Sequence, residues 1–348
     1  MEKLNLKAIK MEKITDHLEK MVNIPSPTGF TDEITKFLIN YAENNNISYS
    51  KTKKGAVIYE FETEKASKGN SMFACHIDTL GAMINQVKDQ KLKITNIGGY
   101  PPFYIIGNYC KIHCYNGKTY EGTILPENPS VHVNKKLSKK KYKMEDVYIR
   151  PDIITDEEKS LENYISVGDF VSFDPGFKTT NGFIKSRHLD DKSSAAVLLY
   201  LSTIINNNID NLNQNIYFYF NITEETGQGI AGMPPIDNLI IVDMGVVGDK
   251  VEGNEYSVSI CAKDTSGPYN YQLVQKLIEL SKKNNIDYKV DVFPYYGSDG
   301  SAALRAGNDI KVALIGPGVS ASHGYERTHI KGLTNTAKLI INFITSIN

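Results

Sequence analysis

Residues 72–80 read MFACHIDTL, an apolar run that ends in His76 and Asp78. Alternate residues of a strand share a face, so this imidazole and carboxylate can lie side by side within hydrogen-bonding reach. A metal-bound histidine is commonly held in this way. Four further stretches offer related chemistry: RHLDDKSS with Asp190 and Asp191, NITEETGQG with Glu224 and Glu225, IVDMG with Asp243, and SASHGYERTH with His323. Each piece alone has an ordinary structural use. An Asp pair before a helix serves as an N-cap, a Glu pair after a strand is solvated surface, and a lone Asp closes a turn.

Their contexts make the set more than its parts. Glu224 and Glu225 directly follow an apolar strand, as does Asp243, and His76 ends another. In open α/β sheets the ligand crevice lies outside the carboxyl ends of the strands, so these separate positions converge on one place. Carboxylates crowded there repel one another unless cations compensate, and Zn²⁺, Mn²⁺ or Co²⁺ take this mixture of imidazole and carboxylate. Two histidines and three carboxylates suit two divalent ions, with one carboxylate bridging. Such a pair activates a water and clamps both oxygens of a tetrahedral intermediate. The Glu224–Glu225 doublet then supplies one ligand and one base for the water's proton.

The elements that must position these residues are legible from periodicity. DEITKFLINYAENNN carries Ile34, Phe37, Leu38 and Tyr41 at helical spacing, after the turn-rich IPSPTGFT. GAVIYEF and SMFACH read as strands. From residue 188 helix and strand alternate: SSAAVLLYLSTIINN, QLVQKLIELSKK and TNTAKLIINFITSI as helices, and QNIYFYFNI, NLIIVDMG, YKVDVF and IKVALIG as strands. This predicts an α/β fold, a mainly parallel mixed sheet sandwiched by helices. Between them, LKITNIGG, YCKIHCYNGKTYEGTIL, YISVGDFVSFD and NGFIKS are short alternating segments separated by Gly, Asn and Asp, the pattern of a small β-barrel-like domain. The expected division is a discontinuous catalytic domain, 1–85 with 181–348, and an inserted β domain at 86–180.

Composition narrows the class. With 348 residues, 41% hydrophobic and 23% charged, the chain can bury a large core, as an ordinary globular protein does. A net charge of −1 gives no general electrostatic case for nucleic acid or a membrane surface. The charged N-terminal stretch lacks the apolar core of a signal peptide, so the cytoplasm is the expected compartment. Cys110 and Cys114 flank His113, but no second ligand pair at zinc spacing accompanies them, and they read as strand residues. The lysine-rich run 135–143 reads as a solvated loop.

The order His-x-Asp, Asp-Asp, Glu-Glu, Asp, His, together with NIPSPTG at residues 23–29 and the interrupted topology, resembles the glutamyl-aminopeptidase-like family of two-metal metallopeptidases that includes the tetrahedral aminopeptidases. The resemblance spans nearly the whole chain. It implies that His76 binds one metal and Asp78 orients it, that Asp190 bridges both ions, and that Glu225, Asp243 and His323 complete the ligands. Glu224 is then the general base. It also implies trimming of short peptides from their N-termini, two ions per subunit (Zn, Co or Mn), and a homo-oligomer, often a dodecamer, with the inserted domain at subunit contacts. One departure is TLGAM after Asp78, where that family often has Glu-Val-Gly.

The same metal chemistry cleaves other amides, so a related deacylase or carboxypeptidase is the alternative within the hydrolases. A glycosidase also uses two carboxylates, but the histidines at ligand-like positions and the absence of Trp argue against it. From another class comes a non-catalytic, metal-stabilised assembly protein.

Overall fold

The computed structural model describes residues 9–67, 69–155 and 160–346; the outermost parts of the expected catalytic domain, 1–8 and 347–348, lie outside them. The described helices are α1 (Met11–Val22), α2 (Asp32–Asn44), α3 (Leu189–Asn206), α4 (Tyr271–Lys283), α5 (Asp299–Arg305) and α6 (Ile330–Ser346). None is long and apolar enough to cross a membrane.

The strands Asn215–Asn221, Asn70–His76, Asn238–Val242 and Lys311–Ser320 lie parallel and in that order at the centre of a large mixed sheet. Their residues are buried almost throughout, which is why they read as continuous apolar runs and not as alternating ones. Edge-to-face aromatic pairs link the sheet to a helix: Phe73 meets Phe218 at 5.8 Å and Phe343 of α6 at 5.9 Å between ring centroids. Helices α1, α3, α6 and α4 pack successively on one another. At α1, Ile14, Leu18 and Met21 recur three to four residues apart and fill its buried face. Side chains cap two helices, Asn270 at the start of α4 and Ser298 at the start of α5.

Six other strands form a closed antiparallel barrel with its own core, in the order Gly81–Lys88, Lys91–Ile97, Val147–Pro151, Thr119–Pro126, Tyr109–His113 and Phe170–Phe173. Its strands therefore run from Gly81 to Phe173. The segment NGFIKS, grouped with them on its alternation, lies elsewhere: Phe183–Ser186 pairs with Glu326–His329 at the flank of the large sheet. Alternation identifies a half-buried strand but not the sheet it joins. The barrel meets the α/β body where His113 stacks on Phe30 at 4.5 Å. The loop carrying Phe30 is anchored from below by Lys192, fully buried, whose Nζ donates to the Met21 and Ile24 carbonyls at 2.9 and 2.8 Å and closes the C-terminal end of α1.

Candidate active site

The parallel register puts His76 beside Asn221, at the same end of the sheet from which the chain continues into Glu224 and Glu225. Asp243 follows the neighbouring strand Asn238–Val242. Asp190 belongs to the entry of α3, where Asp190 and Asp191 have non-helical dihedrals and the regular helix begins only after them. His323 lies in the turn after Lys311–Ser320, at φ 64°, a left-handed conformation that costs a non-glycine residue about 1 kcal/mol and must be held by its surroundings.

The two carboxylate oxygens of Asp190 divide between the two imidazoles. Oδ1 is 3.2 Å from His76 Nε2, and Oδ2 is 3.5 Å from His323 Nε2. His76, Asp190 and Asp243 form one group whose donor atoms all lie within 4.8 Å of one another. On the other side, Glu225 Oε2 is 3.8 Å from His323 Nε2. Glu224 Oε2 stands 3.9 Å from His76 Nε2. The structure thus brings together the seven residues to which the resemblance gives roles, Asp78 included.

Asp78 acts otherwise than a simple His-x-Asp pair. The His76 Nδ1 lies 3.0 Å from the backbone carbonyl of Asp78 and 3.6 Å from its carboxylate. The carboxylate instead accepts the backbone N–H groups of Glu224 at 3.1 Å and Glu225 at 3.2 Å, and the Thr28 hydroxyl at 2.7 Å. It therefore fixes the main chain from which the Glu pair projects. Alternation along one strand could not reveal this, because the donors come from residues 146 and 147 positions away.

Electrostatics show what the cluster is built for. Burial, reinforced by the charge of Asp190, pushes Glu225 up to about 8 and Asp243 up to about 7. Burial likewise raises Glu224, helped by the nearby Asp243 and Asp299. Burial alone would lower His323, but Asp190 and Glu225 facing its ring raise it to about 10. Asp191 is fully buried, and its Oδ1 has no hydrogen-bond partner. Without cations these carboxylates can coexist only by taking up protons. The imidazole nitrogen and carboxylate oxygens gathered at His76, Asp190 and Asp243 suit a divalent ion, and binding one eases the conflict.

Other candidates fall outside this group. His188 lines a separate cavity of about 220 Å³ between α1 and the barrel. His329 accepts the Lys331 N–H and packs between Phe183 and Tyr256, a structural role. Cys110, Cys114 and His113 make separate hydrogen bonds, to Gly122, Tyr164 and Ser172. Two contributors gave no local signal in the sequence. The Gly99 carbonyl, from the barrel, faces His323 Nδ1, and Asn221 donates to both oxygens of Asp299 at 2.9 and 2.8 Å. A cleft of about 500 Å³ opens over the group, lined by Glu224, Glu225, Asp243, Tyr296, Asp299 and His323 among others.

An open α/β sheet with an inserted barrel, and this cluster at its strand ends, define a metal-dependent peptide hydrolase. The chain belongs to the M42 glutamyl aminopeptidase family, whose model matches residues 55–339. It is similar to YhfE of Bacillus subtilis (strain 168), provisionally named an aminopeptidase, with 44% identity over 97% of this chain and 98% of that protein. Its fold is shared with a TET aminopeptidase from a marine sediment archaeon (Thaumarchaeota), at TM-score 0.84 and 19% identity over 96% of this chain and 97% of the other. It is also shared with the dodecamer PhTET1-12s, at TM-score 0.81 and 22% identity over 94% and 98%.

Proposed function

We propose that this aminopeptidase removes single N-terminal residues from short peptides with two divalent ions (Zn²⁺, Co²⁺ or Mn²⁺). One ion would be held by His76, Asp243 and Asp190, the other by His323, Glu225 and the second oxygen of Asp190. The observation that carries this reading is the division of the Asp190 oxygens between the two imidazoles. When bound, such ions supply Lewis acidity toward a water and the scissile carbonyl. Glu224 takes the proton of the attacking water and returns it to the leaving amine; it reaches into the cleft and faces His76 without being needed in either ligand set. Asp78 keeps Glu224 and Glu225 aimed by holding their backbone N–H groups, a preorganisation that a mobile loop would lack. The acidic lining of the cleft, extended by Asp299, suits a substrate that enters with a free ammonium group.

The test is hydrolysis of short peptides, each with a free or an acetylated N-terminus, by chelator-stripped protein with and without added Zn²⁺, Co²⁺ or Mn²⁺. Metal-dependent release of single residues from the free peptides only is the expected result. Cleavage of the acetylated peptides would establish the deacylase, and no turnover with any metal the assembly protein.

This chain is further proposed to work as a homo-oligomer. TET1 of Pyrococcus horikoshii assembles into a tetrahedron or a large octahedral shell. Here the barrel exposes Tyr109 and Tyr115, at 68% and 76%, as apolar surface available to another copy. Light scattering on the purified protein decides between a monomer and an assembly.

A further inference from the structure

Glu326 stands three residues after His323 and is 3% exposed. Its two oxygens are spent on two backbone donors. Oε1 accepts from the His323 N–H at 3.0 Å, and Oε2 accepts from the Asp190 N–H, also at 3.0 Å. We propose that Glu326 is a positioning residue that fixes Asp190 and His323 relative to each other, and so sets the half of the metal centre that these two share. The inference rests on the two-ion reading given above.

Three observations support it. Both donors sit where regular structure gives no support, His323 at positive φ and Asp190 ahead of the regular part of α3. Asp78 performs the same operation on Glu224 and Glu225, so each pair of site residues has one buried carboxylate clasping its two N–H groups. Arg187 braces the same turn: it donates to the Gly324 carbonyl at 3.2 Å and to the Tyr104 carbonyl, with its guanidinium 4.8 Å from the Tyr325 ring.

The chemistry of the clasp makes it testable. A carboxylate accepts at both oxygens, whereas Gln presents one acceptor and one NH₂ that opposes an N–H. Asp keeps the charge but is one methylene short of spanning both donors. Apo protein prepared as wild type, Glu326→Gln and Glu326→Asp is titrated with Co²⁺ against a chelator, following the visible absorption of the bound ion. Thermal unfolding of each apo form is recorded alongside.

The expected result is two Co²⁺ per wild-type subunit. In both variants one ion binds about 10–100-fold more weakly, the usual effect of losing a partner that orients ligands, with a changed spectrum and an apo Tm within a few degrees of wild type. Wild-type affinity and spectrum in Glu326→Gln overturn the proposal. So does full recovery in Glu326→Asp, which would make charge alone the cause, and so does a large apo Tm loss in both variants, which would make the role structural. Fewer than two ions on the wild type would instead defeat the two-ion reading itself.

Discussion

His76 ends a strand that is buried along its length and paired on both sides with parallel neighbours, whereas His323 projects from a left-handed turn and leans on a carbonyl supplied by the barrel. The side chain of the first is 2% exposed and that of the second 39%. The His76 side of the site is thus carried mainly by the central sheet, with Asp190 added from the entry of α3. The other half exists only when the barrel, the turn and Glu326 are all seated. Two ligand sets that look equivalent on paper should therefore differ in rigidity and in how firmly they hold an ion.

The largest effect expected is that of Glu224→Gln, which should lower kcat by about 10²–10⁴-fold, the span of general acid–base catalysis, while both ions stay bound. Loss of an ion in that variant, read by elemental analysis, would make Glu224 a ligand and erase the boundary between the two halves. Next come the imidazoles themselves. His323→Ala is expected to lose one ion with little change in Tm. His76→Ala should also lose bound metal, but it leaves a hole in packed structure and lowers Tm by several degrees; equal Tm values would end the asymmetry.

A smaller effect tests the barrel's share. Gly98 has φ 77°, and a Cβ there would fall 2.4 Å from Leu80 Cδ2. Gly98→Ala should destabilise by about 1–3 kcal/mol and shift the Gly99 carbonyl, so activity falls at limiting metal and recovers in excess metal. Unchanged metal dependence would free His323 from the barrel.

The smallest effect lies at the junction itself. Burial, then the charge of Lys111, lowers His113 to about 4. A folded-state value below the unfolded 6.5 means a contribution fully present above pH 6.5 and lost as pH falls toward 4. His113→Gln is therefore expected to flatten part of the decline of Tm over that interval. An unaltered slope would show that acid loosens the protein elsewhere.

How much of this was legible in the sequence follows from where each signal is stored. His76, Glu224, Glu225 and Asp243 follow apolar strands, and strand ends of an open sheet point to one crevice, so pattern alone located them. The bridging part of Asp190, as against Asp191, came from family resemblance, because a doublet looks the same from either side. The Gly99 carbonyl was invisible: any residue offers a carbonyl, and this one lies 224 positions from the ring it faces. Glu326 stood in plain view near His323, but its second donor is 136 positions away. The strand Phe183–Ser186 was found as a strand and grouped by its pattern with the barrel segments, although the expected boundary at 180 left it in the catalytic domain; its alternation carries no address.

Synthesis runs from His76 through the barrel to Asp190, and only afterwards to His323 and Glu326. The barrel is complete once Phe173 has been made, and with its own core it can close early. The central sheet must wait for Lys311–Ser320, and the second imidazole waits with it. A nascent or truncated chain lacking that strand has the segments of the barrel but neither the completed central sheet nor His323. With the ligands proposed above, the peptidase would be complete only when nearly all of its chain has been built.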